Sequence, residues 1–442
     1  MDKCPPIVYT CAVTLDQKIA AKKARVGVMG LGYVGLPLSV AFARRGFRVT
    51  GIEVDARRAG QLRRGRSYIE DVPSADIQRL MREGFFEVRT DDAALGRLDV
   101  VVICVQTPLR KTKEPDISNI LSACGRIARR LRKGGLVVLE STTYPGTTEE
   151  AVRPALEVGG LKAGRDFHLA FSPERVDPGN PRWNIENTPK VVGGINAAST
   201  RSAALLYSQV ISRVVPVTSA TAAELVKLLE NTFRAVNIAL VNELAQICDR
   251  LGLNVWEVVE AAATKPFGFM PFWPGPGIGG HCIPKDPQLL TWKMKTLNFE
   301  PRFITLASTV NGLMPVYTAS RVARALNEDR KAVRDSRVLV LGVAYKPDVG
   351  DHRESPALDV MHLLAEDGAR VSYYDPFVPE VRAAGRVWRR AALTDALIKA
   401  ADIVVILTAH KAVDYQRVCL LARRVFDARN ATAGLRGRIE RL

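Results

Sequence analysis

Residues 25–55, "RVGVMGLGYVGLPLSVAFARRGFRVTGIEVD", run through an apolar strand, a glycine turn, an apolar helix, a stop at Gly46, a second strand and an acid. That order is one βαβ unit. Gly30, Gly32 and Gly35 have the spacing GxGxxG, which permits a tight turn, close approach of backbone to a pyrophosphate and close packing of helix on strand. A lone GxGxxG is weak evidence, because glycine turns join many strands to helices; here the flanking strand and helix and the acid Glu53 complete the context. A carboxylate at that point bonds a ribose diol and repels a 2′-phosphate, so Glu53 favours NAD over NADP, with Arg57 and Arg58 just beyond it tempering the preference. The next apolar run ends in "VQTP" (105–108), which places Thr107 at a strand's carboxyl end, facing the cofactor or serving as a plain loop residue.

The same grammar recurs in residues 336–376, "SRVLVLGVAYKPDVGDHRESPALDVMHLLAEDGARVSYYDP", followed by another strand in "ADIVVILTAH" (401–410). Its first loop lacks GxGxxG and carries Lys346, Arg353 and Glu354. Side-chain cations there suit a second nucleotide, the alternative being a solvated loop. Between the two units, residues 221–252, "TAAELVKLLENTFRAVNIALVNELAQICDRLG", read as one long helix with Thr221 and Glu224 as a capping box and Gly252 at its end. It is apolar almost all round and is expected to be buried. Lys227 and Asn231 share one face of it, and a buried ammonium implies a partner or an anionic ligand. The fold class is therefore α/β, with two Rossmann-like doubly wound domains joined by a long central helical domain. The expected boundaries are 1–23 for an N-terminal extension, 24–218 for an NAD-binding domain, 219–330 for the central helical domain and 331–442 for a second Rossmann-like domain.

Composition agrees with several domains. A chain of 442 residues with 47% hydrophobic and 25% charged residues is longer than one core usually organises and has the balance of a globular protein. Its apolar runs, such as "LDVVVICV" (98–105), fall well short of the ~20 residues a membrane-spanning helix requires. The opening "MDKCPPIVYTCAVTLDQKIAAKK" has no signal-peptide core and reads as a loose extension, so a cytoplasmic location is expected. The seven cysteines are dispersed without a CxxC pair, which suggests neither a disulfide framework nor a metal site. A net charge of +17 favours anionic partners. No nucleic-acid-reading motif accompanies the arginines, and neither nucleic acid nor membrane is expected as a partner.

Residues 265–287, "KPFGFMPFWPGPGIGGHCIPKDP", are too rich in Pro and Gly for regular structure and too aromatic for a solvated linker, so they read as an ordered loop lining a pocket. By itself Cys282 is an inert buried thiol. Context changes that reading: glycines before it allow close approach, His281 and Lys285 favour the thiolate, and Asp286 offers a carboxylate for water. In an NAD enzyme a nucleophilic cysteine can add to an aldehyde, and the resulting thiohemiacetal can yield hydride to become a thioester that water hydrolyses.

Taken in order, "GLGYVGLP", "ESTTYPGTT", "FSPERVDPGN", "AELVKLLENTFRAVNIALVNE", "GPGIGGHCIPKDP" and "YKPDVGDHRESPA" resemble the UDP-glucose/GDP-mannose dehydrogenase family over roughly residues 24 to 430. Within it, the stretch around Cys282 is most similar to bacterial UDP-N-acetylglucosamine 6-dehydrogenases, with UDP-N-acetylmannosamine enzymes as relatives. The resemblance implies oxidation of a sugar C6 alcohol to a carboxylate by two NAD, most readily on UDP-N-acetylglucosamine, with UDP-glucose or UDP-N-acetylmannosamine as alternatives. It also implies a homo-oligomer and a place in surface polysaccharide synthesis. A non-catalytic NAD-binding regulator is the rival of another class.

By the same resemblance Cys282 is the nucleophile, Lys227 and Asn231 stabilise an oxyanion, Asp286 orients water or assists proton transfer, Thr142 holds a water near C6, and Glu174 is the base for thioester hydrolysis. Tyr33, Val34, Arg58, Thr142, Lys285 and Arg353 join Gly30, Gly32, Gly35, Glu53 and Thr107 around the cofactor. Glu174, Arg175, Gly279, Lys346 and Arg429 join Lys227 and Asn231 around the substrate. Pro178 stands where many UDP-glucose enzymes have a second acid, which argues against glucose. Glu53 stands where Asp is usual and keeps the ribose bond.

Overall fold

The computed structural model describes residues 13–110, 114–176, 180, 182–280, 282–383 and 385–442. They fall into two units, one ending at Leu229 and the other beginning at Glu230. Pro178 and His281 lie outside the described residues.

The strands of the first unit are short and mostly apolar on both sides, the pattern of a parallel sheet covered by helices on each face. They are β1 (Arg25–Met29), β2 (Arg48–Ile52), β3 (Phe86–Arg89), β4 (Val100–Ile103), β5 (Leu136–Leu139), β6 (His168–Phe171), β7 (Lys190–Gly194) and β8 (Val214–Pro216). They form one 8-stranded sheet in the order β3-β2-β1-β4-β5-β6-β7-β8. Only β6 and β7 pair antiparallel. The order reverses between β1 and β4, which opens a crevice beyond the carboxyl ends of those strands, where open α/β sheets bind ligands. The helix Gly35–Arg44 starts in that crevice and buries Leu36, Leu38, Val40 and Phe42 against the sheet. It stops at Gly46, whose φ of +92° suits a residue without a Cβ.

Residues expected as part of a loose extension prove partly ordered. Leu15–Ala20 is a helix with a reciprocal capping box between Thr14 and Gln17, and it buries Ile19 in the core of the first unit. Its Asp16 accepts a hydrogen bond from the Ser202 hydroxyl. Tertiary contact, rather than helix propensity, holds so short a helix.

In the second unit, β9 (Arg337–Leu341), β10 (Arg370–Tyr374), β13 (Ile403–Ile406), β14 (Val425–Asp427) and β15 (Ile439–Arg441) form a parallel sheet in the order β10-β9-β13-β14-β15. The hairpin of β11 (Glu380–Ala383) and β12 (Arg386–Arg389) stands apart from it as a separate 2-stranded sheet. Here the order reverses between β9 and β13, so this unit too has a crevice, at the ends of Leu341 and Ile406. The architecture is two Rossmann-like α/β domains connected by a long helical region.

The central helix runs from Ala220 to Leu251. Two expectations about it are corrected. Glu224 is not its cap: the Ser219 hydroxyl accepts from the Ala222 N–H instead, while the Glu224 carboxylate is buried and receives the Gly146 N–H, the Thr148 N–H and the Thr148 hydroxyl. Nor is the helix buried all round. Phe233, Leu240, Ile247 and Leu251 are 45%, 61%, 46% and 65% exposed and recur at helical spacing along one face.

Candidate active site

The candidate residues gather in two groups, one in each unit. In the first, the glycine turn has the shape its spacing implies. Gly30 has a φ of +89°, and a Cβ there would lie 2.7 Å from the Cys104 carbonyl oxygen. A Cβ on Gly35 would collide with the Gly30 carbonyl, whereas one on Gly32 would meet no protein atom within 4 Å. Two glycines are thus required by the turn itself, and the third faces open space where a pyrophosphate can approach the backbone. Glu53 is buried at the end of β2 and accepts the Leu31 N–H at 3.0 Å and the Asp55 N–H at 3.0 Å. It therefore braces the turn as well as presenting an acid to a ribose. Tyr33 is exposed and Val34 half-buried beside the turn, and the Arg58 guanidinium lies 5.6 Å from the Tyr68 ring, whose hydroxyl donates to the Leu31 carbonyl. These residues fit NAD.

Across the crevice, the ends of β4 and β5 bring Thr107 and Thr142 together, the Thr107 hydroxyl donating to the Thr142 carbonyl. Ser141 donates to the Val105 carbonyl at 2.6 Å, so this part of the rim is fixed by side-chain bonds to backbone. Glu174 follows β6. One of its oxygens accepts the Arg175 and Val176 N–H groups, and the other lies 3.5 Å from the Lys190 ammonium. Burial pushes its carboxyl up, but Lys190, the Val176 N–H, Lys227 and the Arg175 N–H outweigh that and leave it below the usual carboxylate range. Arg175 is anchored by a bond to the Pro189 carbonyl. Lys227 is half-buried, less deeply than its sequence context implied.

Reading the sequence missed what holds Glu174 in place. Lys190 is 4% exposed and is paired with Glu140, which also accepts the Tyr207 hydroxyl at 2.6 Å. Two carboxylates raise the Lys190 ammonium above its ordinary range despite burial, so it stays charged. A charged residue opening the apolar run "KVVGG", and another closing "LVVLE", were the available signals.

In the second unit, Cys282 occupies the turn that leads into the helix Asp286–Lys295. Its carbonyl accepts the Lys285 N–H at 3.0 Å and the Asp286 N–H at 2.8 Å. The Asp286 carboxylate in turn accepts the side-chain amide of Asn231, and both residues are buried. Cys282, Asp286 and Asn231 are therefore one cluster. Asn242 steadies the chain ahead of it: its side chain bonds the Gly275 N–H and the Asn311 amide. Gly279 packs against Tyr345, and the Lys285 ammonium pairs with Glu354 at 3.2 Å.

Lys346 and Arg353 lie on the loop after β9, where Arg353 also pairs with Asp351. Arg429 follows β14, donates to the Leu407 carbonyl at 2.9 Å, and lies against Gly275. Burial pulls its guanidinium down to about 10 against the opposing pull of Asp427, so at neutral pH it remains a poorly solvated cation suited to an anionic group.

The first crevice, with its glycine turn and Glu53, suits a dinucleotide, and the crevice of the second Rossmann-like unit presents cations suited to a second nucleotide. The class is thus an NAD-dependent dehydrogenase of nucleotide-linked substrates. Profiles of the UDP-glucose/GDP-mannose dehydrogenase family match throughout: its NAD binding domain at residues 24–211, its central domain at 221–312 and its UDP binding domain at 339–434. The chain belongs to that family.

A UDP-N-acetyl-D-mannosamine dehydrogenase of Pyrococcus horikoshii is 35% identical over 415 residues, covering 92% of this chain and 95% of that protein. A UDP-N-acetyl-D-glucosamine 6-dehydrogenase of Pseudomonas aeruginosa is 36% identical over 359 residues, covering 81% of this chain and 84% of that one. Among solved structures, a UDP-D-ManNAc dehydrogenase from Pyrococcus horikoshii superposes with a TM-score of 0.85 at 33% identity, over 94% of this chain and 98% of the other. This chain is accordingly an NAD-dependent UDP-sugar 6-dehydrogenase. The special likeness to bacterial N-acetylglucosamine enzymes expected from the Cys282 loop gives way to a mixed set in which mannosamine enzymes, several of them archaeal, are prominent. Among the described residues, no helix is long and apolar enough to cross a membrane.

Proposed function

We propose that the substrate is a UDP-N-acetylhexosamine, with UDP-N-acetylmannosamine preferred, and that its C6 hydroxymethyl is taken to the carboxylate. The observation that carries the chemistry is the cluster of Cys282, Asp286 and Asn231 in a chain that also builds the glycine turn for NAD. Support for the sugar comes from the mannosamine dehydrogenases of Pyrococcus and Methanococcus at 32–35% identity over nearly the whole chain. UDP-N-acetylglucosamine is the second reading, favoured by the Pseudomonas relative at 36%.

NAD, when bound, accepts hydride in both oxidations. Loss of hydride from C6 and of the C6 hydroxyl proton, passed to solvent through the water that Thr142 holds near that carbon, gives the aldehyde. The Cys282 sulfur adds to the aldehyde carbon, and Lys227 and Asn231 stabilise the oxygen that becomes negative. Loss of a second hydride leaves a thioester. Glu174, kept ionised by Lys190, takes a proton from the water that displaces the thiol, while Asp286 orients water and assists proton transfer. Arg175, Gly279, Lys346 and Arg429 hold the substrate's nucleotide and sugar, and Arg353 reaches the cofactor.

The apolar face of the central helix suits self-association, and this chain is read as a homo-oligomer. The product is an acidic sugar nucleotide, fit for surface polysaccharide synthesis.

Incubation with each UDP-sugar and NAD tests the reading. Two NADH per sugar consumed, with the highest kcat/KM on UDP-N-acetylmannosamine, is the expected result. One NADH per sugar would sink the covalent route, and a higher kcat/KM on UDP-N-acetylglucosamine would move the assignment to that sugar.

A further inference from the structure

In the first unit the turn after the opening strand is fixed by glycines. The corresponding loop of the second unit, residues 342–355, carries bulky side chains and must be fixed in another way. Gly342 begins it with a φ of +84° and donates to the Tyr374 carbonyl. Beyond that point the ties come from side chains. The Asp375 carboxylate, fully buried, accepts the Val343 and Ala344 N–H groups at 2.9 and 3.0 Å. It also accepts the Phe377 and Val378 N–H groups, and the Thr408 hydroxyl donates to the Ala344 carbonyl.

His410 links this anchor to the far part of the loop. Its ring is fully buried, with Nε2 3.0 Å from Asp375 Oδ2 and Nδ1 3.0 Å from the Asp348 backbone nitrogen. A backbone N–H can only donate, so Nδ1 accepts and carries no hydrogen; the ring hydrogen is on Nε2 and is donated to Asp375. Asp348 has a φ of +60°, a conformation that a non-glycine residue keeps only when its surroundings impose it. The His410 ring imposes it from one side, and the Lys411 N–H, donated to Asp348 Oδ1 at 2.9 Å, from the other.

The loop so held is also the seat of the cysteine segment. The Gly280 N–H donates to the Arg353 carbonyl at 3.1 Å. A Cβ on Gly279 would stand 2.6 Å from Tyr345 Cβ, and one on Gly280 would stand 2.9 Å from the Tyr345 ring, so the glycine pair lies directly on that side chain. Cys282 follows two positions later.

We propose that His410 is a positioning residue: through Asp348 it holds the loop that carries Lys346 and Arg353 and on which the Cys282 segment is seated. The proposal rests on the reading of Lys346 as a substrate contact and Arg353 as a cofactor contact, and it is distinct from a general structural role because it assigns the work to one ring nitrogen. An Asn side chain can place its carbonyl oxygen where Nδ1 is, and so keep the Asp348 bond. A Gln side chain can place its amide where Nε2 is, and so keep only the Asp375 bond.

The experiment compares His410→Asn with His410→Gln in the full chain, measuring KM for the UDP-sugar, kcat, NAD affinity and the iodoacetamide rate at Cys282 resolved by peptide mass spectrometry. Displacing a binding loop by a fraction of an ångström is expected to raise KM about tenfold in His410→Gln, against about threefold or less in His410→Asn. The alkylation rate at Cys282 shifts, and NAD affinity weakens through Arg353, in the Gln variant alone. Equal KM and equal alkylation rates in the two variants overturn the proposal. If His410→Gln fails to fold, the Asn variant carries the test by itself, and a KM raised there as far as in Lys346→Ala overturns it. An unchanged KM in Lys346→Ala overturns the substrate reading of the loop instead, and the Cys282 alkylation rates still decide the role of His410.

Discussion

The side-chain amide of Asn231 donates a hydrogen bond to the carboxylate of Asp286, 55 positions further along the chain, and so joins the central helix to the turn that holds Cys282. Neither group is free to act alone. Asn231→Ala and Asp286→Ala are each expected to lower kcat roughly a hundredfold, and the double variant to lower it by about the same factor rather than by the product. A double-mutant cycle on kcat checks this, and full additivity would mean that the bond has no part in catalysis.

The proposed nucleophilic role of Cys282 divides binding from chemistry. Cys282→Ser is expected to lower acid formation roughly a thousandfold or more, because a hydroxyl is a far weaker nucleophile than a thiolate. NAD affinity, set by the glycine turn of the first unit, stays within about twofold of the parent. Ion chromatography of the product with NAD titration in parallel reads both, and a normal rate of acid formation would remove the covalent route.

Glu224 links stability to pH. Burial raises its carboxyl from 4.5 to about 7 against the opposing bonds from Thr148 and Gly146. A raised acid binds its proton more tightly in the folded chain, so its contribution is present in full below pH 4.5 and is lost as pH rises towards about 7. The span corresponds to about 3 kcal/mol. Urea unfolding of the first unit is expected to become easier over that interval, and Glu224→Gln, which cannot titrate, to lose this part of the dependence. Identical pH profiles for parent and variant would contradict the assignment.

Arg429 presents a poorly solvated cation beside Gly275. Arg429→Ala is expected to raise KM for the UDP-sugar and the Kd for UDP itself by about ten- to a hundredfold, with a smaller change in kcat, because charge-assisted bonds to phosphate serve ground state and transition state alike. Calorimetry with UDP measures the binding loss directly. A variant with parental UDP affinity would place the nucleotide elsewhere.

Local physics made much of this protein legible in its residues. The turn at Gly30 and the stops at Gly46, Gly252 and Gly368 are set by backbone sterics over a few positions, and their positive φ values agree with them. The recurrence of strand, helix and strand after Ser336 likewise revealed a second Rossmann-like unit. Tertiary structure decided what depends on partners distant in sequence. Glu224 had the spacing of a helix cap, yet its carboxylate serves the turn at residues 146–148, because three donors there outcompete one local N–H. The central helix, apolar nearly all round, leaves a stripe at Phe233, Leu240, Ile247 and Leu251 that the described residues cover only in part. Lys190 reached Glu174, and His410 reached Asp348, only through the sheet, since no spacing rule links residues brought together by strand order. Sequence alone determined the folds and singled out Cys282 as the candidate nucleophile. Burial and long-range hydrogen bonds decided which charged side chains hold the loops of each unit in place.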